Sequence, residues 1–199
     1  MATATASIFK KQTYTVDEYF ELEKYADIRH EFVYGKLIPM QGESITANRI
    51  AGNCDFRLQL ALRSKGYVII RHDVRTIIKA GKLYRYPDVQ VAKLSEISET
   101  HAVTRPKILI EVTSINSAKT DNDDKVNEYT ALESLDYYLI ISQEEMLVKV
   151  FRRTSRRSWQ FDVYEDRNEV INLPEFGFHL SLADIYENVI FAEARSDND

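Results

Sequence analysis

Lys107-Ile108-Leu109-Ile110-Glu111-Val112-Thr113 is an apolar, strand-forming run with one carboxylate set into it. Unbroken aliphatic character, rather than polar alternation, is the pattern of a strand covered on both faces and therefore central in its sheet. Glu111 is out of place there. An ionised carboxylate buried without a partner is costly, so it must meet a metal, a base or a set of hydrogen-bond donors. The matching feature upstream is Asp88-Val89-Gln90-Val91-Ala92, an alternating strand opened by Pro87 and Asp88. The loop between Lys93 and Pro106 lets the two strands lie side by side, and their carboxylates can then converge on one hard cation.

Working outward, the chain alternates helical and extended signals. Thr15-Val16-Asp17-Glu18 reads as a capping box that starts a helix carrying Val16, Tyr19, Phe20 and Tyr25 at helical spacing. Glu31 to Met40 reads as a hairpin turning at Gly35. Ser44 to Lys65 is the longest helical segment: Ile50, Cys54, Leu58 and Leu62 recur on one face, and Gly66 stands at the C-cap position. Strands follow at Tyr67–Arg71 and in a hairpin spanning Val74–Lys79 and Leu83–Tyr86. Beyond the central run, a helix is expected over Asn122–Ser134. Further strands are expected at Asp136–Ser142, Met146–Arg152 and Trp159–Tyr164, and a short terminal helix at Ser181–Asn188. The order predicts an α/β (α+β) fold with a mixed central sheet flanked by helices and additional β-hairpins.

With 199 residues, 44% of them hydrophobic, the chain suits one well-buried core. No repeat or Gly/Pro/Ser-rich linker divides it. The expected organisation is a flexible segment at 1–14, a single domain at 15–192 and a frayed tail at 193–199. The single cysteine, Cys54, excludes an internal disulfide and a Cys-rich zinc site, and its apolar helical setting marks it as core. Apolar runs reach only about five residues, far below the roughly 20 of a membrane span. The N-terminal stretch lacks an apolar signal core, so a cytoplasmic protein is expected. A net charge of −5 argues against a protein that coats nucleic acid by bulk attraction, but not against an enzyme meeting it through a local basic strip.

The ordered set Tyr86-Pro87-Asp88-Val89, Glu111-Val112 with Ser114, then Asp121 and Lys125 with Tyr129 resembles the Uma family of prokaryotic endonucleases, within the PD-(D/E)xK, restriction-endonuclease-like superfamily. Arg29-His30-Glu31-Phe32-Val33-Tyr34-Gly35-Lys36-Leu37 resembles that family's entry into its first hairpin, and Asp136-Tyr137-Tyr138-Leu139-Ile140 its later strand. The resemblance covers residues 15 to 185. It implies a restriction-endonuclease-like fold and cleavage of nucleic acid, DNA above all, with Mg²⁺ or Mn²⁺ as cofactor. It also implies Asp88 and Glu111 as metal ligands, Glu31 as a third carboxylate, and Lys125 as the catalytic lysine. Two positions depart from the pattern. The superfamily lysine belongs two residues after the glutamate, where Thr113 stands, and family members often carry histidine where Asn48 stands.

The chemistry of the bond defines the roles. A cation held by Asp88 and Glu111 activates water and neutralises phosphate oxygens. Lys125 orients the water or stabilises developing charge, and the main-chain carbonyl of Ile110 or Val112 is a further oxygen donor. Tyr129 shares the Lys125 face one helical turn on and reads as packing or positioning. Arg71, Arg75, Lys79, Lys82 and Arg85 are the candidate phosphate contacts, with Arg152, Arg153, Arg156 and Arg157 as a second cluster. Other readings of the same residues stay open. Lys125 can be a solvated charge among acidic neighbours, the basic runs can be edges that resist sheet aggregation, and Asp88 and Glu111 can pair with arginines. The whole chain can be an inactive nuclease fold serving as a nucleic-acid-binding or dimerisation module. A homodimer is compatible with double-strand cutting, since two-fold related sites nick one strand each.

Overall fold

Pro106–Thr113 (β8) is central, as its composition predicts. It pairs antiparallel with β6 (Val89–Lys93) and parallel with β9 (Tyr137–Ser142). With β3 (Tyr67–Arg71), β10 (Val148–Arg153) and β11 (Trp159–Tyr164) they form a six-stranded mixed sheet in the order β11-β10-β9-β8-β6-β3. The computed structural model of the chain describes residues 11–114 and 119–191, with backbone alone at 119–122. Residues 1–10 and 192–199, and the Asp121 side chain quoted above, lie outside that description.

The two-residue period of a strand sends alternate β8 side chains to opposite faces. Ile108 and Ile110, with Val89, Val91 and Ile69, meet Ile50, Cys54, Leu58 and Leu62 of helix α2 (Ile45–Leu62). Leu109 faces the other way and packs with Tyr138 and Ile140 against Tyr129 of helix α3 (Lys119–Thr130) and against Leu132 and Leu135 just beyond it. The helix expected over 122–134 therefore ends earlier, at Thr130. Ser44 caps α2 by accepting the Ala47 N–H at 3.0 Å. At the other end a single 3₁₀ turn runs into Gly66, whose φ of 79° is left-handed and suits a residue without Cβ.

The two hairpins seen in the sequence join into a second sheet. β1 (His30–Val33) and β2 (Lys36–Pro39) turn at Tyr34-Gly35, while β4 (Arg75–Lys79) and β5 (Leu83–Arg85) turn at Gly81. Pairing of β1 with β5, and of β4 with the short β7 (Ala102–Val103), gives a five-stranded sheet ordered β2-β1-β5-β4-β7. Helix α1 (Val16–Glu23) starts in the expected capping box and covers one face of this sheet, with Tyr19 over Phe32 and Tyr84. Tyr25 falls beyond α1 and is exposed rather than part of its apolar face. Tyr14, expected in the flexible segment, is anchored: it packs on the same cluster and its N–H donates to Gly35 O at 2.8 Å.

Gln90 ties the sheets together. Its position in an alternating strand predicts solvent, yet it is fully buried, accepting from Thr76 Oγ1 at 2.8 Å and donating to Val74 O at 2.6 Å. β6 is thus covered on both faces, with the five-stranded sheet taking the place of water. A ribbon of β12 (Val170–Leu173) and β13 (Phe178–Ser181), followed by α4 (Leu182–Ile185), closes the α2 side of the core. Ser181 caps α4 as expected, accepting the Asp184 N–H. Among the described residues, no helix is long and apolar enough to cross a membrane.

Leu109 is wholly buried between the central strand and the residues around α3. Leu109→Ala should destabilise the protein by about 2–5 kcal/mol, measured by urea denaturation with an unchanged m-value.

Candidate active site

The strand pairing that builds the six-stranded sheet also brings the two carboxylates together. Val89 pairs with Ile110 in the antiparallel β6–β8 ladder, so one step further Asp88 stands opposite Glu111. Directly opposed residues of an antiparallel pair share a face. The ladder is capped by the side chain itself, because Asp88 Oδ2 accepts the Val112 N–H at 2.6 Å. The same logic holds in the five-stranded sheet. Phe32 pairs with Tyr84, which sets Glu31 opposite Arg85, on the face away from α1. The short link Tyr86-Pro87 carries the chain from β5 to β6, so the site forms where the two sheets meet, beneath α3.

Helix α3 supplies the rest. Lys125 Nζ lies 3.1 Å from Glu111 Oε2 and 3.7 Å from Glu31 Oε1. One turn on, the Tyr129 hydroxyl donates to Glu111 Oε1 at 2.8 Å. A third residue on that stripe, Glu128, receives Arg85 through two bonds, Nε to Oε2 at 2.8 Å and Nη2 to Oε1 at 3.0 Å. Arg85 also donates Nη1 to Glu31 Oε2 at 2.6 Å. Glu31, Asp88, Glu111 and Lys125, singled out in the sequence, are thus assembled in one place. The alternative pairing of Asp88 and Glu111 with arginines is not the arrangement seen: Asp88 accepts from the Val112 amide, and Glu111 from Lys125 and Tyr129.

Charge in this cluster is unbalanced. Four carboxyl groups (Glu31, Asp88, Glu111 and Glu128) face two cations (Arg85 and Lys125), and little of the cluster reaches water. Burial pushes the Asp88 carboxyl up to about 8, with the negative charge of Glu111 adding to the effect. Burial likewise raises Glu111, against the pull of Lys125 and with that of Glu31. Tyr129 is pushed well up by burial and by the Glu111 charge, which keeps its hydroxyl a donor. For Arg85 burial disfavours the charge, but Glu128 and Glu31 outweigh it and hold the guanidinium protonated. An oxygen donor set with more carboxyl groups than cations suits a hard divalent cation, and Asp88 and Glu111, with Glu31 on the other side of Lys125, are its candidate ligands here.

The candidate phosphate contacts separate. Arg85 is corrected: it is 2% exposed and spends its donors on Glu31 and Glu128, so it holds the site together from inside. Arg75 stacks over Phe20 at 4.8 Å and donates to His101 O. Arg71 lies 3.5 Å from Asp55 of α2. Lys79 and Lys82 are exposed at the tip of the β4–β5 hairpin, Lys79 over the Tyr34 ring. In the second cluster, Arg153 stacks on Trp159 and donates to the carbonyls of Thr130, Leu132 and Leu135, and Arg156 pairs with Glu133.

Three contributors were not singled out in the sequence. Glu128 was legible only as a neighbour of Lys125 on an acidic helix. Glu43 and His72 come within reach of Asp88: their ligand atoms and an Asp88 oxygen all lie within 4.8 Å of one another. His72 follows β3, and its N–H donates to Asp88 O at 3.2 Å, which extends the β3–β6 ladder beyond Arg71 and Val89.

Residues 16–183 match the family Uma2, described as "Putative restriction endonuclease", and the chain belongs to that family. Among its relatives is the uncharacterized protein sll1609 of Synechocystis sp., 32% identical over 182 residues that cover 89% of this chain and 98% of that protein. A second Synechocystis protein, slr1290, is 22% identical and covers 88% and 92% of the respective chains. The fold is that of a crystal structure from Anabaena variabilis, described as a "putative nuclease belonging to DUF820", with a TM-score of 0.72, 19% identity and coverage of 89% and 99%.

Two outcomes follow from the cluster. Arg85→Ala removes the nearest cation from buried Glu31 and from Glu128 and should cost about 3–5 kcal/mol, measured by denaturant unfolding. For Asp88 the sign is set by a carboxyl that binds its proton more tightly folded than unfolded. Its stabilising effect is therefore present at low pH and lost as pH rises toward about 8. In EDTA, thermal melts should show wild type losing stability relative to Asp88→Asn as pH rises from about 5 to 8. A difference that stays flat or grows in favour of wild type contradicts this.

Proposed function

We propose that the chain is a divalent-cation-dependent endonuclease that hydrolyses phosphodiester bonds of DNA, with Mg²⁺ as the cation and Mn²⁺ able to replace it. The observation that carries this reading is the charge deficit at the junction of the sheets: Asp88 and Glu111 opposed across β6 and β8, with too few protein cations to neutralise them. Membership of the family described above supports the reaction class, and the nuclease description of the Anabaena structure agrees with it.

In this reading the bound cation supplies an activated water and neutralises non-bridging phosphate oxygens. The chain does the rest. Asp88 is aimed by the Val112 amide and Glu111 by the Tyr129 hydroxyl, so both carboxylates are held in place before any ligand arrives. Glu31, fixed by Arg85, is the third oxygen donor. Lys125 takes the part of the lysine missing at Thr113, reaching Glu111 from the helix instead of the strand. Its ammonium would orient the attacking water or meet charge developing on the phosphate. Lys79 and Lys82 on the hairpin tip are the exposed basic groups suited to following a phosphate backbone. Two copies acting together would cut both strands.

A second reading has support of its own. Thr113 stands where the superfamily lysine belongs, Lys125 is already engaged by two carboxylates, and the net charge is −5. A catalytically inactive DNA-binding or dimerisation module would carry the same features.

Cleavage of supercoiled plasmid and single-stranded DNA, with Mg²⁺, Mn²⁺ or EDTA, separates the two. Wild type should cut only with the cation, and Asp88→Asn, Glu111→Gln and Lys125→Ala should each lower the rate by roughly 100-fold or more. Activity that survives EDTA, or is indifferent to both acidic substitutions, refutes the nuclease. A folded protein that binds DNA but cuts none of these substrates selects the second reading.

A further inference from the structure

Glu43, His72 and Asp88 form a cluster that the proposed hydrolysis does not use as a unit. Glu43 sits in the loop before the Ser44 cap of α2, His72 directly follows β3, and Asp88 precedes β6. Each offers one ligand atom, and no two of those atoms are more than 4.8 Å apart. Bonds of about 2.1 Å place ligand atoms up to about 4.2 Å apart, so shifts of well under an ångström would close the three around one ion.

The surroundings hold these groups in position. His72 is pinned beside Asp88 by its N–H bond to the Asp88 carbonyl. Glu43 is oriented from behind by Asn48 Nδ2, which donates to Oε2 at 3.0 Å, leaving Oε1 against His72 Nδ1 at 2.7 Å. Supporting hydrogen bonds of this kind fix the direction of a ligand carboxylate. The His72 and Glu43 side chains remain 31% and 29% exposed, which leaves an entry path and room for water to fill the remaining coordination positions.

We propose that Glu43, His72 and Asp88 bind a second divalent cation, and that the imidazole nitrogen makes this site prefer a transition ion such as Mn²⁺ or Zn²⁺ to Mg²⁺. Oxygen-only sets suit Mg²⁺, whereas imidazole suits zinc and other transition ions. The site shares Asp88 with the cation of the proposed nuclease but stands whether or not the chain cuts DNA.

The nitrogen gives a direct readout. The chain has four histidines. His30 is bonded to Glu23, His179 to Asn172, and His101 lies in the exposed segment before β7. Among the described residues, His72 is the histidine that clusters with Asp88. Full-length protein stripped with EDTA is titrated with Mn²⁺ alone, and the bound ion is read by pulsed EPR for coupling to ¹⁴N. Wild type should show that coupling. His72→Asn, chosen because asparagine tolerates the left-handed φ of 50° at this position, should abolish it and weaken the nitrogen-ligated binding roughly tenfold or more. Glu43→Gln should weaken it similarly, while Glu111→Gln should retain the coupling, which separates this site from the catalytic one. Circular dichroism of each metal-free variant establishes that it is folded. Bound Mn²⁺ without ¹⁴N coupling in wild type, or coupling that persists in His72→Asn, overturns the proposal.

Discussion

Everything at the junction of the two sheets follows from acidic side chains held out of water with too little positive charge to match them. Glu31 and Glu111 are buried, Asp88 is half-buried, and Glu128 lies beside them. Hydrophobic burial on either side of β8 fixes the strands and helices that carry these groups, so they cannot retreat to solvent without unpacking the core. The protein answers with Arg85, Lys125 and the Tyr129 hydroxyl, and with protonation of Asp88 when nothing else is bound. Isolated buried charges are among the costliest features a fold can hold. Their survival here makes sense if a ligand completes the balance.

The architecture translates strand register into chemistry. Asp88 faces Glu111 because Val89 faces Ile110, and Glu31 faces Arg85 because Phe32 faces Tyr84. Each polar pair is the next step of an apolar pair already locked in the core. A slip of one residue in either ladder would turn the acidic groups to the opposite face. Helix α3 then lays Lys125, Glu128 and Tyr129 across both sheets, so one helix reads out the relative placement of β1, β5 and β8.

Much of this was legible in the sequence, for physical reasons that also mark its limits. Glu111 is conspicuous because a carboxylate interrupts an aliphatic run, and Asp88 because it opens a strand of matching character. Helix α2 follows from its four-residue apolar spacing and its Ser44 and Gly66 ends. Lys125 stands out through the family resemblance alone, since on an acidic helix a single lysine carries no spacing signal of its own. Arg85 was not legible: a cation in a hairpin looks the same whether it faces water or a buried glutamate, and only the pairing of two separate hairpins brings it to Glu31, 54 residues away in sequence. Gln90 hid for the same reason, since a second sheet covers the face that alternation assigns to solvent. Glu43 and His72 meet Asp88 through the end of a strand ladder and a helix cap, neither of which leaves a spacing signal.

The most direct test of the charge-deficit account is a crystal of the full chain grown without metal and soaked in Mn²⁺, with the ion located by its anomalous scattering. An anomalous peak should appear, bonded at about 2.2 Å to carboxylate oxygens of both Asp88 and Glu111. A saturating soak that leaves the space between those two carboxylates without an ion, while Mn²⁺ binds elsewhere on the protein, would contradict it.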